Sequence, residues 1–178
     1  MAIHASRGSY DYSADPILGA ALGYWRAKRG KRFMPARRDI DPVEVPTLLP
    51  NLQLIEIVDG RYRFRLVGSE LVNAYGSDYT RQYADEFFEG ARARNILEVY
   101  EIVKVTRQPA FMRSRYETPR GLTLVANRLY LPLSADSLDV NMILGALTFE
   151  FAAVASIAGA WGGAARLAGS DIEMVDAN

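Results

Sequence analysis

Cysteine is absent from this 178-residue chain, and histidine occurs once, as His4. Without cysteine there is no disulfide, no thiolate metal site, no cysteine nucleophile and no flavin–cysteine adduct. One histidine in a polar N-terminal stretch leaves His-based metal sites, Ser-His-Asp triads and His-ligated haem almost no material. The remaining residues name no cofactor. Excess charge is lacking too: 21 Lys and Arg balance 21 Asp and Glu for a formal net charge of +0. No global field therefore draws the chain to nucleic acid or to an acidic surface. Lysine stands only at 28, 31 and 104. Arginine tolerates partly buried, hydrogen-bonded positions better than lysine, although genome composition would produce the same bias. The N-terminus lacks the basic-then-apolar layout of a secretory signal, which makes the cytoplasm the expected location.

The longest uncharged run, residues 151–165, is dominated by Ala and Gly and broken by Gly159, Gly162 and Gly163. Joined to the strand before it, with Glu150 inside, it is expected not to span a membrane. It reads instead as a weakly helical tail packing on the domain or a neighbour, followed by a mobile acidic end, DIEMVDAN.

What is present suffices for one domain. The chain is 49% hydrophobic, enough for a core. Residues 1–35 read as a flexible lead-in and a helix, 36–151 as the domain, and 152–178 as the tail. Asp15 and Pro16 open the first helix, and Gly30 follows its basic last turn. Its stripe of Leu18, Ala21, Leu22 and Trp25 has the spacing of one buried face. That face either packs across its own domain or forms a dimer interface through Leu18, Leu22 and Trp25. The basic run 26–38 reads as a solvated linker rather than a phosphate or RNA contact. Asp41, Pro42 and Glu44 form a capping-box pattern for a short helix to Leu49, which accounts for Asp41 without a metal.

The stretch RYRFRLVGSELVNAYGSDYT at 61–80 organises the rest. Tyr62, Phe64 and Leu66 alternate with Arg61, Arg63 and Arg65, as in a strand with one buried face. Ser69 can cap a short helix that Gly76 ends. Asp59-Gly60 is a hairpin signal joining this strand to the apolar run 52–58. Polar and aromatic residues 77–90 allow short helical turns with Phe87 and Phe88 tucked inward. A long helix follows at 91–107, with Ile96, Val99, Tyr100, Ile102 and Val103 inward and a Glu101–Lys104 pair outside. Three strands follow at 110–118, 122–133 and 140–151.

With Trp25, Pro35, the run Arg38-Asp39-Ile40-Asp41-Pro42, and Leu48-Leu49-Pro50, the chain resembles a PAS domain. Phe64-Arg65-Leu66-Val67-Gly68, Gly76-Ser77-Asp78-Tyr79-Thr80 and Leu131-Pro132-Leu133-Ser134 extend the likeness across about residues 20–150. More narrowly, it is similar to the stand-alone PAS-like family frequent in alphaproteobacteria. Arg81 departs from the Gly such proteins commonly place there, which implies a looser turn. The resemblance implies an α+β fold: a five-stranded antiparallel sheet in the order 2-1-5-4-3, helices over one face, and frequent dimerisation. The N-terminal helix is the expected cover for the second face.

Catalysis would need converging acids, bases or nucleophiles. Asp78, Asp85, Glu86 and Tyr100 are the candidates, but Asp78 fits a turn and no paired base accompanies any of them. The expectation is a non-enzyme with no catalytic or metal-binding residue; a small enzyme using a carboxylate in the helix–sheet cleft is the remaining alternative. If Arg128 faces outward on its strand, Asn127 and Leu129 face inward by alternation. Asn127 would then need a partner from a ligand, nearby backbone or water. Phe64, Leu66, Tyr75, Phe88, Tyr100, Val103, Asn127 and Leu129 make the candidate ligand-binding set, and the same residues could simply fill a core. Arg61, Arg63, Arg65, Arg113, Arg115 and Arg128 would then form a basic outer face, paired with Glu56, Glu117 and solvent or receiving an acidic partner. The reading is a sensory or signal-transduction module, homodimeric, that binds a small apolar ligand or a regulatory protein. A ligand-free interaction scaffold acting through dimerisation is the alternative.

Overall fold

The computed structural model describes residues 11–117, 123–136, 138–151 and 166–177. Helix α1 (Pro16–Arg29) precedes strands β1 (Leu52–Val58) and β2 (Arg61–Val67), then helices α2 (Ser69–Tyr75), α3 (Ala84–Phe87) and α4 (Gly90–Thr106). Strands β3 (Ala110–Glu117), β4 (Thr123–Leu133), β5 (Met142–Phe151) and β6 (Arg166–Met174) follow. All pair antiparallel in one sheet, β2-β1-β5-β4-β3-β6. The expected order 2-1-5-4-3 is present, with a sixth strand added beside β3.

That sixth strand corrects the reading of the C-terminal end as mobile. Residues 171–174 belong to β6, Ser114 and Ser170 share a hydroxyl hydrogen bond at 3.0 Å, and Val175 N donates to the Pro109 carbonyl at 2.9 Å. Without β6, β3 would present a row of unpaired backbone groups. The Ala, Gly and Ser in RLAGSDIEM blur the alternation that would have announced a strand. The expected helical run at 152–165, like residues 1–10 of the lead-in, lies outside the described residues.

Local chemistry sets the ends of these elements. Asp59 and Gly60 both take positive φ (50° and 78°), which closes the β1–β2 hairpin with the right-handed strand twist. Gly76 ends α2 at φ 77°. Two caps differ from expectation. Gly68, not Ser69, is the N-cap of α2, with no side-chain capping bond, and a Cβ at Gly68 would lie 2.3 Å from the carbonyl oxygens of Leu49 and Pro50. Asp41 does cap the 3-10 turn Pro42–Glu44 through Val43 N at 2.9 Å, yet Glu44 does not complete a box. Its carboxylate instead accepts from Lys28 and from the Tyr24 hydroxyl at 2.8 Å each.

The sheet has two covered faces. On the inner face α3 sets Phe87 against Phe64 of β2, and α4 sets Tyr100 against Tyr130 of β4. On the outer face α1 lies over β4 and β5. Asp15 accepts from Ile17 N and Leu18 N to cap α1, and its second oxygen accepts from Thr148 Oγ1 on β5 at 2.8 Å. Leu18, Leu22 and Trp25 are buried within the chain, so α1 packs across its own domain. These three side chains do not offer a dimer interface, because the sheet already takes up their apolar surface.

Candidate ligand site between the helices and the sheet

Pairing along β3 and β4 decides which side chains meet the helices. Met112 opposes Arg128 and Tyr116 opposes Leu124, so Met112, Ser114, Tyr116, Ala126, Arg128 and Tyr130 share one face. Contacts from α2 and α4 identify it as the inner one: the Tyr75 hydroxyl meets Arg128, and the Tyr100 ring stands edge-on to Tyr130 at 5.0 Å. The alternation on β4 is therefore the reverse of the expected one. Arg128 points into the core.

Rings form most of this interior. Tyr79 stacks on Phe87 at 4.3 Å, Phe64 meets Tyr79 edge-on at 4.7 Å, and Phe88 meets Tyr75 edge-on at 5.7 Å. Edge-to-face pairs suit the aromatic quadrupole and add to the energy of burial. Gln53 of β1 threads polar groups between them: its Oε1 accepts from the Tyr79 hydroxyl at 3.1 Å, and its Nε2 reaches the Tyr100 hydroxyl at 3.4 Å. Gly145 on β5 leaves room for that amide, since a Cβ there would fall 2.8 Å from Gln53 Cγ. Burial pushes the phenols of Tyr79, Tyr100 and Tyr130 above their ordinary value.

Arg128 is the chemical centre of this interior. It is 0% exposed, and its Nη2 donates to the hydroxyls of Tyr116 at 3.0 Å and Tyr75 at 3.3 Å. Its Nε and Nη1 are buried with no hydrogen-bond partner among the described residues. A guanidinium in a low-dielectric interior without a carboxylate is costly, and an acceptor at those two nitrogens would relieve it. Arg92 of α4 lies over the Tyr116 ring, with 4.6 Å between the guanidinium carbon and the ring centroid. Burial alone raises the Tyr116 phenol, but the guanidinium groups of Arg128 and Arg92 outweigh that and hold it below the ordinary tyrosine value.

Of the expected ligand-binding residues, Phe64, Tyr75, Phe88, Tyr100 and Val103 are buried on the elements that bound this interior. The other three lie on the opposite face. Asn127 is on the outer side, where its Nδ2 donates to Glu150 Oε1 at 2.6 Å. Leu129 lies there as well, paired with Phe111, whose ring packs on Tyr12 at 5.4 Å. Leu66 is turned outward by a bulge: Leu54 pairs with Leu66 and Ile55 with Phe64, which leaves Arg65 as the extra residue. Leu66 then lines an apolar groove with Ile40, Val45, Leu54 and Leu144.

Sequence reasoning missed Gln53, Tyr79, Tyr116, Arg128 and Tyr130 as members of the site. A signal existed for two of them. Gln53 and Arg128 each stand beside long apolar residues in strands that are mostly buried, where a polar residue has little solvent to face.

The candidate carboxylates are occupied elsewhere. Asp78 Oδ1 accepts from Thr80 N and Thr80 Oγ1, bonds that lower its pKa and make it a turn residue. Asp85 and Glu86 both bind Arg61, whose guanidinium lies 3.9 Å from the Tyr83 ring centroid. Among the described residues there is no cluster of three or more His, Cys, Asp or Glu placed to hold a metal, and no helix long and apolar enough to cross a membrane.

An antiparallel sheet with helices packed over a polar-centred aromatic interior is the architecture of a small α+β domain. A family model described as PAS domain matches residues 15–148, and the chain belongs to that family. PAS domains are generally non-catalytic sensory modules. No curated protein and no solved structure matches the chain.

Proposed function

We propose that this chain acts by binding, and that its interior takes a small, largely apolar molecule carrying one carboxylate or carbonyl seated against Arg128. One observation carries the reading: the Nε and Nη1 groups of Arg128 are buried and have no acceptor among the described residues. Aromatic walls would supply apolar contact, and the guanidinium would fix orientation, the division of labour common in small-molecule sites. Pairing of two copies would carry the signal onward. Phe33 and Val43, 78% and 83% exposed on the segment after α1, support such a surface. A cytoplasmic setting fits this reading.

A second reading rests on how full the interior is. Phe64, Tyr79, Tyr100, Tyr116 and Tyr130 are each 0% exposed, which suits a ligand-free scaffold that works through protein contacts alone. Native mass spectrometry of gently purified protein separates the two. The ligand reading expects a retained small molecule in the wild type that is missing from Arg128→Met. A clean apo mass in both proteins would leave the scaffold. The same spectra report whether the chain is dimeric.

A further inference from the structure

The outer face of the sheet pairs its arginines one by one. Arg113 reaches Glu150 at 3.1 Å and Arg115 reaches Asp171 at 3.8 Å, while Arg61 takes both Asp85 and Glu86. Beside β2 the balance reverses. Arg63, Arg65, Thr80 and Arg81 line an open groove of about 440 Å³. One carboxylate, Glu56, serves two of the three arginines, at 2.7 Å from Arg63 and 3.7 Å from Arg65. Arg81 has no ion pair among the described residues. Asp78, which accepts from Thr80 at the rim, is the second carboxylate beside the groove, so three guanidinium groups against two carboxylates leave a local excess of one positive charge, on a chain whose net charge is +0.

Two backbone irregularities bring these side chains together. The bulge in β2 makes Arg65 the extra residue, which places it on the same side as Arg63 and within reach of Glu56. Arg81 holds φ 74°, so the turn is as tight as a glycine would make it, not looser as expected. That conformation costs a residue with a side chain about 1 kcal/mol or more. The turn is clamped along β2, where Arg81 N donates to the Phe64 carbonyl at 2.7 Å and Phe64 N donates to the Gln82 carbonyl at 3.0 Å. Glycine would hold the same turn without strain, so what the arginine adds is its guanidinium at the groove.

We propose that this groove is a second binding site, on the face opposite Arg128, for a soluble phosphate-bearing small molecule. Planar guanidinium forks match phosphate oxygens two at a time, and three forks around one concavity suit a group with several such oxygens. The groove's volume lies within the range of small-molecule sites.

Calorimetric titration with pyrophosphate at low salt, against a chloride control of equal ionic strength, tests it. Saturable binding of one pyrophosphate per chain is expected, weakened about tenfold or more in Arg81→Gly through loss of a charge-assisted contact. That variant should melt at the wild-type temperature or higher, because it relieves the strained turn, so weaker binding would not reflect misfolding. Glu56→Gln, which frees two guanidinium groups, should bind more tightly. Arg128→Met should bind as the wild type does, so this proposal and the interior-ligand reading fail separately. Absence of saturable heat, equal binding by Arg81→Gly and wild type, or no gain in Glu56→Gln would overturn the site.

Discussion

Trp25 and Pro132, 107 positions apart in the chain, are joined by a hydrogen bond of 2.8 Å from the indole Nε1 to the proline carbonyl. The contact is wholly buried and ties α1 to the C-terminal half of β4. It explains why α1 is a working part of the domain: its apolar stripe covers the outer sheet face, and its one large polar group finds a backbone acceptor there.

Trp25→Phe should therefore cost about 1–3 kcal/mol, because it keeps a ring but leaves a buried carbonyl without its donor. Urea unfolding followed by circular dichroism should show a lower midpoint with an unchanged slope. An unshifted midpoint would mean that α1 contributes little to the stability of the fold.

Gly145→Ala should destabilise the chain by about 1–3 kcal/mol through overpacking. The new Cβ would lie 2.8 Å from Gln53 Cγ and 3.3 Å from Tyr130 Cε1. Shortening the neighbour should make room, so Gly145→Ala combined with Gln53→Ala should cost less than the sum of the single changes. Strict additivity would show that the strain arises elsewhere.

Tyr116 should ionise before Tyr62, Tyr79, Tyr100 and Tyr130. Two guanidinium groups hold its folded value below the ordinary one, so the fold is favoured as pH rises through that folded value, and the gain is complete above the unfolded value of about 10. Tyr62, Tyr79, Tyr100 and Tyr130 are shifted the other way, chiefly by burial. For these four the cost begins as pH passes the unfolded value, and they should release their protons together on alkaline unfolding. Absorbance at the phenolate band should show an early phase in the wild type that Tyr116→Phe lacks. Persistence of that phase in the variant would assign it to another residue.

Most of the secondary structure was legible because it rests on local rules. Alternation at Tyr62 and Phe64 marked a strand, Asp59-Gly60 marked a hairpin, and Asp15-Pro16 marked the start of α1; each follows from backbone geometry within a few residues. Strand β6 escaped notice because its stability comes from the open edge of β3, more than 50 residues earlier in the pairing of Ser114 with Ser170. The site was only half readable for a related reason. Phe64, Tyr75, Phe88, Tyr100 and Val103 follow from apolar periodicity, whereas the direction of Arg128 depended on which face of β4 meets α4.

By itself the amino-acid order determined the identity of most elements, the absence of thiols, and membership of the PAS family, since each depends on residue type and short-range spacing. Tertiary structure alone decided the facing of β4, the outward turn of Leu66 at the Arg65 bulge, and the meeting of Arg63, Arg65 and Arg81. A strand repeats every two residues, so its pattern states that two faces differ and leaves open which one is covered by helices. Packing of distant segments supplies that choice, and with it the position of every charge that could recognise a ligand.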